Sequence, residues 1–512
     1  MYGSGPQNDT FEKELFLVLP TSLFKPINSV RFSFFHLSAA VLVAGLCLNG
    51  PTAEAQRVRS TPFAYVPEHT EDPYNQRVHV KTLPVAGSKD FIILSHRSAS
   101  EYAVERYDAD LKKVWAAAVP VAAGESLEAF ARNDQQALVV VHHKDETGQH
   151  LLVQPIDLKT GQKLTAKKVA EGGPRERRPG ISISPDGTQV VAFRYVTREE
   201  QIKALNAVHY DRQLNKLKDR SYDFAALGSF FSPTVYVAND GTQYVALISD
   251  NNQKLTVRRY VDAEPDVKVM SVAVGGTFGG KKVTVRDTQW RLLDGKTLYG
   301  AAICADYNSG DYYSLKLVKF DFANTDMKFA PEFKFTPEYL TEVNKATGGS
   351  AKRLDDVYIS DVLRTDDQNV VVVAEKKAEE GENAPVHARE LHLFGYNEFQ
   401  SPTWQKVVAK HQVAPASESF TGIGYRATTI GNEVSIVTME KLQNKSDLFG
   451  RKVATATGVV SAPKALGLNV ANDQQLAYVK DFTAWLDDKT MVVVTRPNKK
   501  SAALQLNKIV LK

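Results

Sequence analysis

The chain has 512 residues, of which 43% are hydrophobic and 24% charged, with a formal net charge of +4. These are ordinary globular values, so they exclude a disordered chain and leave ample sequence for a large core. So small a surplus over this length also argues against nucleic acid, whose binders concentrate positive charge on one face.

Residues 1–29 are mixed in character and precede a segment that reads as a complete export signal. Arg31 supplies the positive start, and the apolar run from Ser38 to Leu48 (SAAVLVAGLCL) is too short to span a bilayer. Ala53-Glu54-Ala55 is an A-x-A cleavage site before Gln56. Leu46 is bulky where a lipid-attachment signal before Cys47 wants a small residue. The expected organisation is therefore a leader over 1–55 and one mature domain over 56–512, with translation starting near Val30. The expected location is the bacterial periplasm or the outside of the cell, with no stable transmembrane anchor. Cleavage would leave Cys304 as the only cysteine, so an internal disulfide is ruled out and the core alone stabilises the domain.

From Gly87 onward one pattern recurs eight times: a polar turn, usually acidic, then a run of apolar and β-branched residues. The copies start at Gly87 (GSKDFIILS), Asn133 (NDQQALVVV), Pro185 (PDGTQVVAF), Asn239 (NDGTQYVAL), Leu293 (LDGKTLYGA), Thr365 (TDDQNVVVV), Ile430 (IGNEVSIVT) and Asp487 (DDKTMVVVT). Asp-Gly-like pairs tolerate the positive φ of tight hairpins, and the runs are too short for helices. They are almost continuously apolar, as strands buried on both faces must be. A second turn follows most copies, at Tyr107-Asp108, Ile156-Asp157, Tyr210-Asp211 and Phe320-Asp321. Two hairpins per unit make a four-stranded meander.

Four strands every 46 to 72 residues predict an all-β fold, a β-propeller of eight four-stranded blades. Seven is the alternative if the unit around Gly431 is irregular, and two stacked sandwich domains form a second alternative. The long intervals contain insertions: a short helix over Thr336 to Lys345, with Thr336 as N-cap and Pro337 at the first helical position, and a polar loop over Lys376 to Pro385. The last unit ends one strand short, after Val479 to Leu486, Met491 to Thr495 and Leu504 to Leu511. The segment Thr61 to Val66 is expected to supply the fourth strand and close the ring.

SISPDGTQVVAF resembles the repeats of TolB-like propellers, and IDLKTGQKL resembles those of quinoprotein-like propellers, although Leu164 is followed by Thr165 where the latter carry tryptophan. Each match covers one unit, and the resemblance implies a fold, also shared with WD40-like repeats, without implying a function.

Candidate sites lie on the loops that join blades and on the mid-blade hairpins, which share one face. Arg175, Arg177 and Arg178, set between Pro174 and Pro179, offer bidentate donors for a carboxylate, phosphate or sulfate. Asp306, Tyr307, Asp311 and Tyr312 offer a hairpin loop suited to protein or glycan recognition. Gly275 to Lys282 (GGTFGGKK) is close to a phosphate loop, yet it ends in Lys282 where magnesium needs Ser or Thr, and it leads into a strand. His142 and His143 are adjacent on a strand and face opposite ways, so no metal site is expected there. Trp115, Trp290, Trp404 and Trp485 fall in expected strands. The catalytic residues are unknown from sequence: neither a G-x-S-x-G elbow nor an H-E-x-x-H motif is present.

The reading is a monomeric binding scaffold for an envelope protein or glycan, with no cofactor and no nucleic acid. The alternative is a hydrolase or lyase working in the central channel. A quinone-dependent redox protein is a third possibility, testable by absorbance.

Overall fold

The computed structural model describes residues 57–512 apart from 69–77, 123–124, 294–296, 382, 474, 498–500, 502 and 512; the expected leader, with Ala53, Ala55 and Gln56, lies outside the described residues. Eight antiparallel sheets follow one another along the chain. Blade 1 is Thr82–Pro84, Phe91–Ser98, Glu101–Tyr107 and Lys113–Pro120. Blade 2 is Glu125–Arg132, Gln136–Lys144, Gln149–Asp157 and Lys167–Gly172; blade 3 is Gly180–Ile183, Val190–Arg198, Gln201–Tyr210 and Lys216–Asp223. Blade 4 is Thr234–Val237, Gln243–Ser249, Lys254–Tyr260 and Lys268–Ala273. Blade 5 is Lys281–Leu293, Thr297–Asp306, Tyr312–Asp321 and Asp326–Phe329, widened by Gly276–Phe278 and Phe333–Lys334. Blade 6 is Val357–Arg364, Val370–Glu379, Val386–Tyr396 and Pro402–Val408, with Gln412–Ala414 added. Blade 7 is Tyr425–Ile430, Glu433–Leu442, Lys445–Ala454 and Lys464–Ala465. Blade 8 is Tyr478–Asp487, Thr490–Thr495 and Leu504–Val510, completed by Arg57–Phe63.

Each of the eight repeated runs is the second strand of its blade, and the packing explains its composition. Side chains alternate across a strand, so a strand sandwiched between two neighbouring blades needs apolar residues in both registers. In blade 2, Ala137, Val139 and Val141 pack towards blade 1, while Leu138 and Val140 pack towards blade 3. Eight apolar clusters result, one at each interface around the ring, from blades 1 and 2 through to blades 8 and 1. Each fully buried Val, Leu or Phe contributes about 1.5–3 kcal/mol. This is the core expected of a domain without a disulfide; Cys304 is itself buried within it.

The ring closes as expected, with a shifted boundary: the closing strand is Arg57–Phe63 and not Thr61 to Val66. It pairs antiparallel with Leu504–Val510, from Arg57 opposite Val510 to Phe63 opposite Leu504. Phe63, the last residue of this strand, is buried with its ring edge-on to Phe482, centroids 5.1 Å apart. The closure covers an edge that would otherwise remain open.

The unit around Gly431 is regular. Ile430 pairs with Glu433 across Gly431-Asn432, and Gly431 takes the positive φ of +56° that this two-residue turn requires. The insertion between blades 5 and 6 is the helix Pro337–Thr347, capped by Thr336 as expected, with Tyr339 and Val343 buried. The polar stretch from Lys376 is a loop only from Glu380; its first residues continue the strand Val370–Glu379, where Lys377 pairs with Ala388.

Two tryptophans join successive blades. Trp115, on the outermost strand of blade 1, donates from Nε1 to the carbonyl of Leu158 at 3.0 Å and lies over Gly161 of blade 2. Trp404, on the outermost strand of blade 6, does the same to Thr455 and Gly458 of blade 7. Both glycines have positive φ and leave the space that each indole fills.

Candidate functional site on the loop face

In a four-stranded meander the blade-to-blade loops and the mid-blade hairpins fall on one face. Here a hydrogen-bond set ties the two together: the Gln149 amide, beside the mid-blade hairpin of blade 2, donates to the carbonyls of Gly173 and Glu176 in the loop leading to blade 3. Buried His142 meets the Gln149 carbonyl oxygen at 3.0 Å, while His143 turns the other way, to Asp145 and Glu125.

That anchored loop carries the three arginines, and they take separate roles. Arg178 pairs with buried Glu128 on the innermost strand of blade 2 and donates to Ser126 at 2.8 Å. Arg177 lies 5.0 Å from the Tyr195 ring and donates to Ser232 at 3.1 Å. Arg175 is exposed and has no ion-pair partner among the described residues. Instead of one three-guanidinium clamp, the loop offers one free cation beside two structural ones.

The tyrosine-rich hairpin of blade 5 divides in a similar way. The Asp306 carboxylate accepts from the backbone N–H groups of Asn308 and Ser309, and the Ser309 bond holds its pKa below the usual range. Asp311 is exposed, and its carbonyl accepts from the Asp306 N–H at 2.9 Å, closing the turn. The Tyr312 hydroxyl bonds the backbone of Val357 in blade 6, and burial raises its pKa. Tyr307 faces outward, 63% exposed, with the Lys282 ammonium 4.3 Å from its ring centroid.

Lys282 belongs to the glycine-rich segment. That segment forms a β-ribbon, Gly276–Phe278 against the start of Lys281–Leu293, with Phe278 opposite Lys281. Phe278 stacks on Tyr313 at 6.2 Å, and the Lys316 ammonium lies 4.8 Å from Phe278 and 5.8 Å from Phe329. Blade 5 thus carries two exposed aromatic groups: Tyr307 beside Lys282, and Phe278 with Phe329 on either side of Lys316, which is itself buried and paired with Glu332 at 3.1 Å.

A second charged group, not singled out in the sequence, lines the channel. The innermost strands of blades 2, 5, 6 and 8 each carry a bulge, at Glu128, Arg286, Ser360 and Lys480 to Thr483. A bulge re-aims side chains, and each of these brings a carboxylate: Glu128, Asp287, Asp361 and Asp481. Asp287 accepts from the Ile359 N–H at 2.6 Å, and Asp361 accepts from the Tyr425 hydroxyl at 2.8 Å. Burial raises the pKa of both carboxyls. Asp481 accepts from Arg426 at 2.9 Å and lies 3.9 Å from buried Lys81, which also meets Glu68.

Lys480, next to Asp481, donates to the Phe420 carbonyl; its depth in the ring draws its pKa down to about 7. Burial likewise draws Lys81 to about 8. Burial pushes the Glu375 carboxyl up, but Lys410, 2.8 Å away, and Lys377 outweigh it and hold the group below its ordinary range. The signal in the sequence is the interruption of strand-like runs by charges, as in Tyr478-Val479-Lys480-Asp481-Phe482 and Ala374-Glu375-Lys376-Lys377. Single strands cannot say that these charges meet, because the cluster draws on blades 1, 5, 6, 7 and 8.

No protein-family model matches the chain, and no curated protein matches it. Among solved structures it is similar to the WD40 domain of SCAP from fission yeast, at 8% identity and a TM-score of 0.42 over 89% of this chain and 94% of that one. It is similar to the polysaccharide lyase Uly1 at 11% identity and a TM-score of 0.40, covering 75% and 90% of the two chains. A structure of prolyl endopeptidases aligns at 9% identity and a TM-score of 0.40, over 85% of this chain and 55% of that one. At these identities and TM-scores the likenesses assign no function to this chain.

Proposed function

We propose that this protein is an exported, non-catalytic binding propeller that holds an extended acidic glycan on the blade 5 side of its loop face. The observation that carries this reading is the exposed Tyr307 ring with the exposed Lys282 ammonium 4.3 Å from it, on the same blade as the exposed rings of Phe278 and Phe329. Exposed aromatic faces stack on the C–H faces of sugar rings, and adjacent ammonium groups pair with their carboxylates or sulfates. Tyr307 and Phe278 are far enough out to meet a ligand without rearrangement of the core.

The test is affinity electrophoresis of the full chain through gels containing an acidic polysaccharide such as alginate or a neutral one such as dextran. Retardation in the acidic gel, lost in Tyr307→Ala and in Lys282→Ala, supports the reading. Equal mobility in all gels, or retardation unaffected by both substitutions, rejects it.

A second reading, a hydrolase or lyase in the channel, draws support from Lys480 near neutrality close to Asp481 and Glu375, and from Asp361 bonded to Tyr425. Groups with pKa values displaced towards neutrality are suited to proton transfer. Turnover of a glycan or peptide substrate that disappears in Lys480→Met would favour it over the binding reading.

A further inference from the structure

Blades 2 and 3 do not fill their interface completely. Over part of it their contact is apolar: Val190 and Ala192 of blade 3 meet Leu138, Val140 and Val169 of blade 2. Further along, the face that blade 3 turns to blade 2 carries a row of polar residues, one on each of three adjacent strands. Arg194 is opposite Asn206, and Asn206 is opposite Ser221. A cavity of about 570 Å³ lies against this row, with Ala192 and Val208 in its lining and Lys168 and Glu171 of blade 2 across from it. That volume falls within the range of small-molecule sites.

The pairing of charges around the cavity leaves one cation over. Lys168 pairs with Glu171 at 3.1 Å, Asp219 with Lys216 at 2.6 Å, and Arg220 turns to Asp262 of blade 4 at 2.9 Å. Among the described residues the Arg194 guanidinium has no carboxylate partner and the side chains of Asn206 and Ser221 have no hydrogen-bond partner. Cross-strand neighbours stand about 5 Å apart, so the three groups form a row about 10 Å long, which a carboxylate at one end and the far hydroxyls of one sugar acid can bridge with hydrogen bonds at both ends.

We propose that this interblade cavity is a binding site for a monomeric sugar acid. Arg194 takes the carboxylate through its two parallel N–H donors, Asn206 and Ser221 bond the ring hydroxyls, and Ala192 and Val208 meet an apolar ring face. One unpaired guanidinium beside two neutral polar groups suits one carboxylate among hydroxyls better than a polyanion. The site is separate from the exposed rings of blade 5, so either assignment can fail without the other.

Isothermal titration of the full chain with D-glucuronate, D-galacturonate, D-glucose and inorganic phosphate tests the site. The expected result is saturable binding of at least one uronate, weakened tenfold or more in Arg194→Gln, with glucose and phosphate binding far more weakly. Asn206→Leu, which keeps the charge, should also weaken uronate binding, and an unchanged melting temperature in both variants shows that the fold is intact. No binding of either uronate, equal binding of glucose or phosphate, or undiminished uronate binding in Arg194→Gln overturns the proposal.

Discussion

The Nε1 of Trp404 donates to the carbonyl oxygen of Thr455 at 2.6 Å, joining the outermost strand of blade 6 to a turn of blade 7. The ring can reach that carbonyl because Gly458 has no side chain: a Cβ there would lie 2.4 Å from the indole. Trp115 and Gly161 repeat the arrangement between blades 1 and 2, so the outer part of the ring is held by specific contacts as well as by apolar packing.

Gly458→Ala is therefore expected to cost more than about 2 kcal/mol, from overpacking together with strain at a φ of +69°. Gly431→Ala, at a φ of +56° with no atom near the new methyl group, should cost only about 1 kcal/mol. Urea unfolding of the two variants measures the difference; equal losses would mean that the indole contact contributes nothing.

Closure of the ring gives a second expectation. Phe63, on the closing strand, is buried between blades 8 and 1 against Phe482, far in sequence from the rest of blade 8. Phe63→Ala should lower stability by about 3–5 kcal/mol, as for other buried aromatics. Limited proteolysis should then cut first within 57–63; cleavage elsewhere would mean that the closing strand stays bound without its anchor.

Arg178 and Arg175 are near neighbours with different expected effects. Arg178→Ala leaves the buried Glu128 carboxylate without this partner, at a cost of about 1–3 kcal/mol, and Glu128→Gln in the same chain should recover part of the loss. Arg175→Ala should change stability by less than about 0.5 kcal/mol. Thermal melts of the three variants decide the point, and equal losses from the two alanine substitutions would contradict the assigned roles.

The channel lysines predict a pH dependence. Lys480 titrates at about 7 in the folded chain and near its ordinary value of 10.5 when unfolded, so between these values the unfolded chain binds more protons. Its contribution to stability therefore rises with pH through this window, and the penalty is largest in acid. Lys480→Met should raise stability most at or below pH 7 and flatten the rise towards pH 10. Denaturant midpoints of both proteins across that range give the slopes; parallel slopes would place the charge penalty elsewhere.

Much of this architecture is a local property of the chain. Eight apolar runs after polar turns, Pro337 behind Thr336, and three strands at the end with a fourth required are each written in consecutive residues. Strand alternation and turn geometry act over a few positions, so the blade count and the closing strand could be read directly, even if the latter's boundary moved by a few residues. The arginine loop and the tyrosine hairpin were likewise visible as motifs. Their roles were not, because an arginine's partner depends on what the neighbouring blade presents, as Glu128 does for Arg178 and Tyr195 for Arg177. The channel cluster lay furthest from view. Bulges turn Asp287, Asp361 and Asp481 inward on blades 5, 6 and 8, and only closure of the ring brings Lys81 to within 3.9 Å of Asp481. Residues 400 positions apart meet there because the closed ring sets the start of blade 1 beside the innermost strand of blade 8, and the pairing of their charges is decided by distance in space.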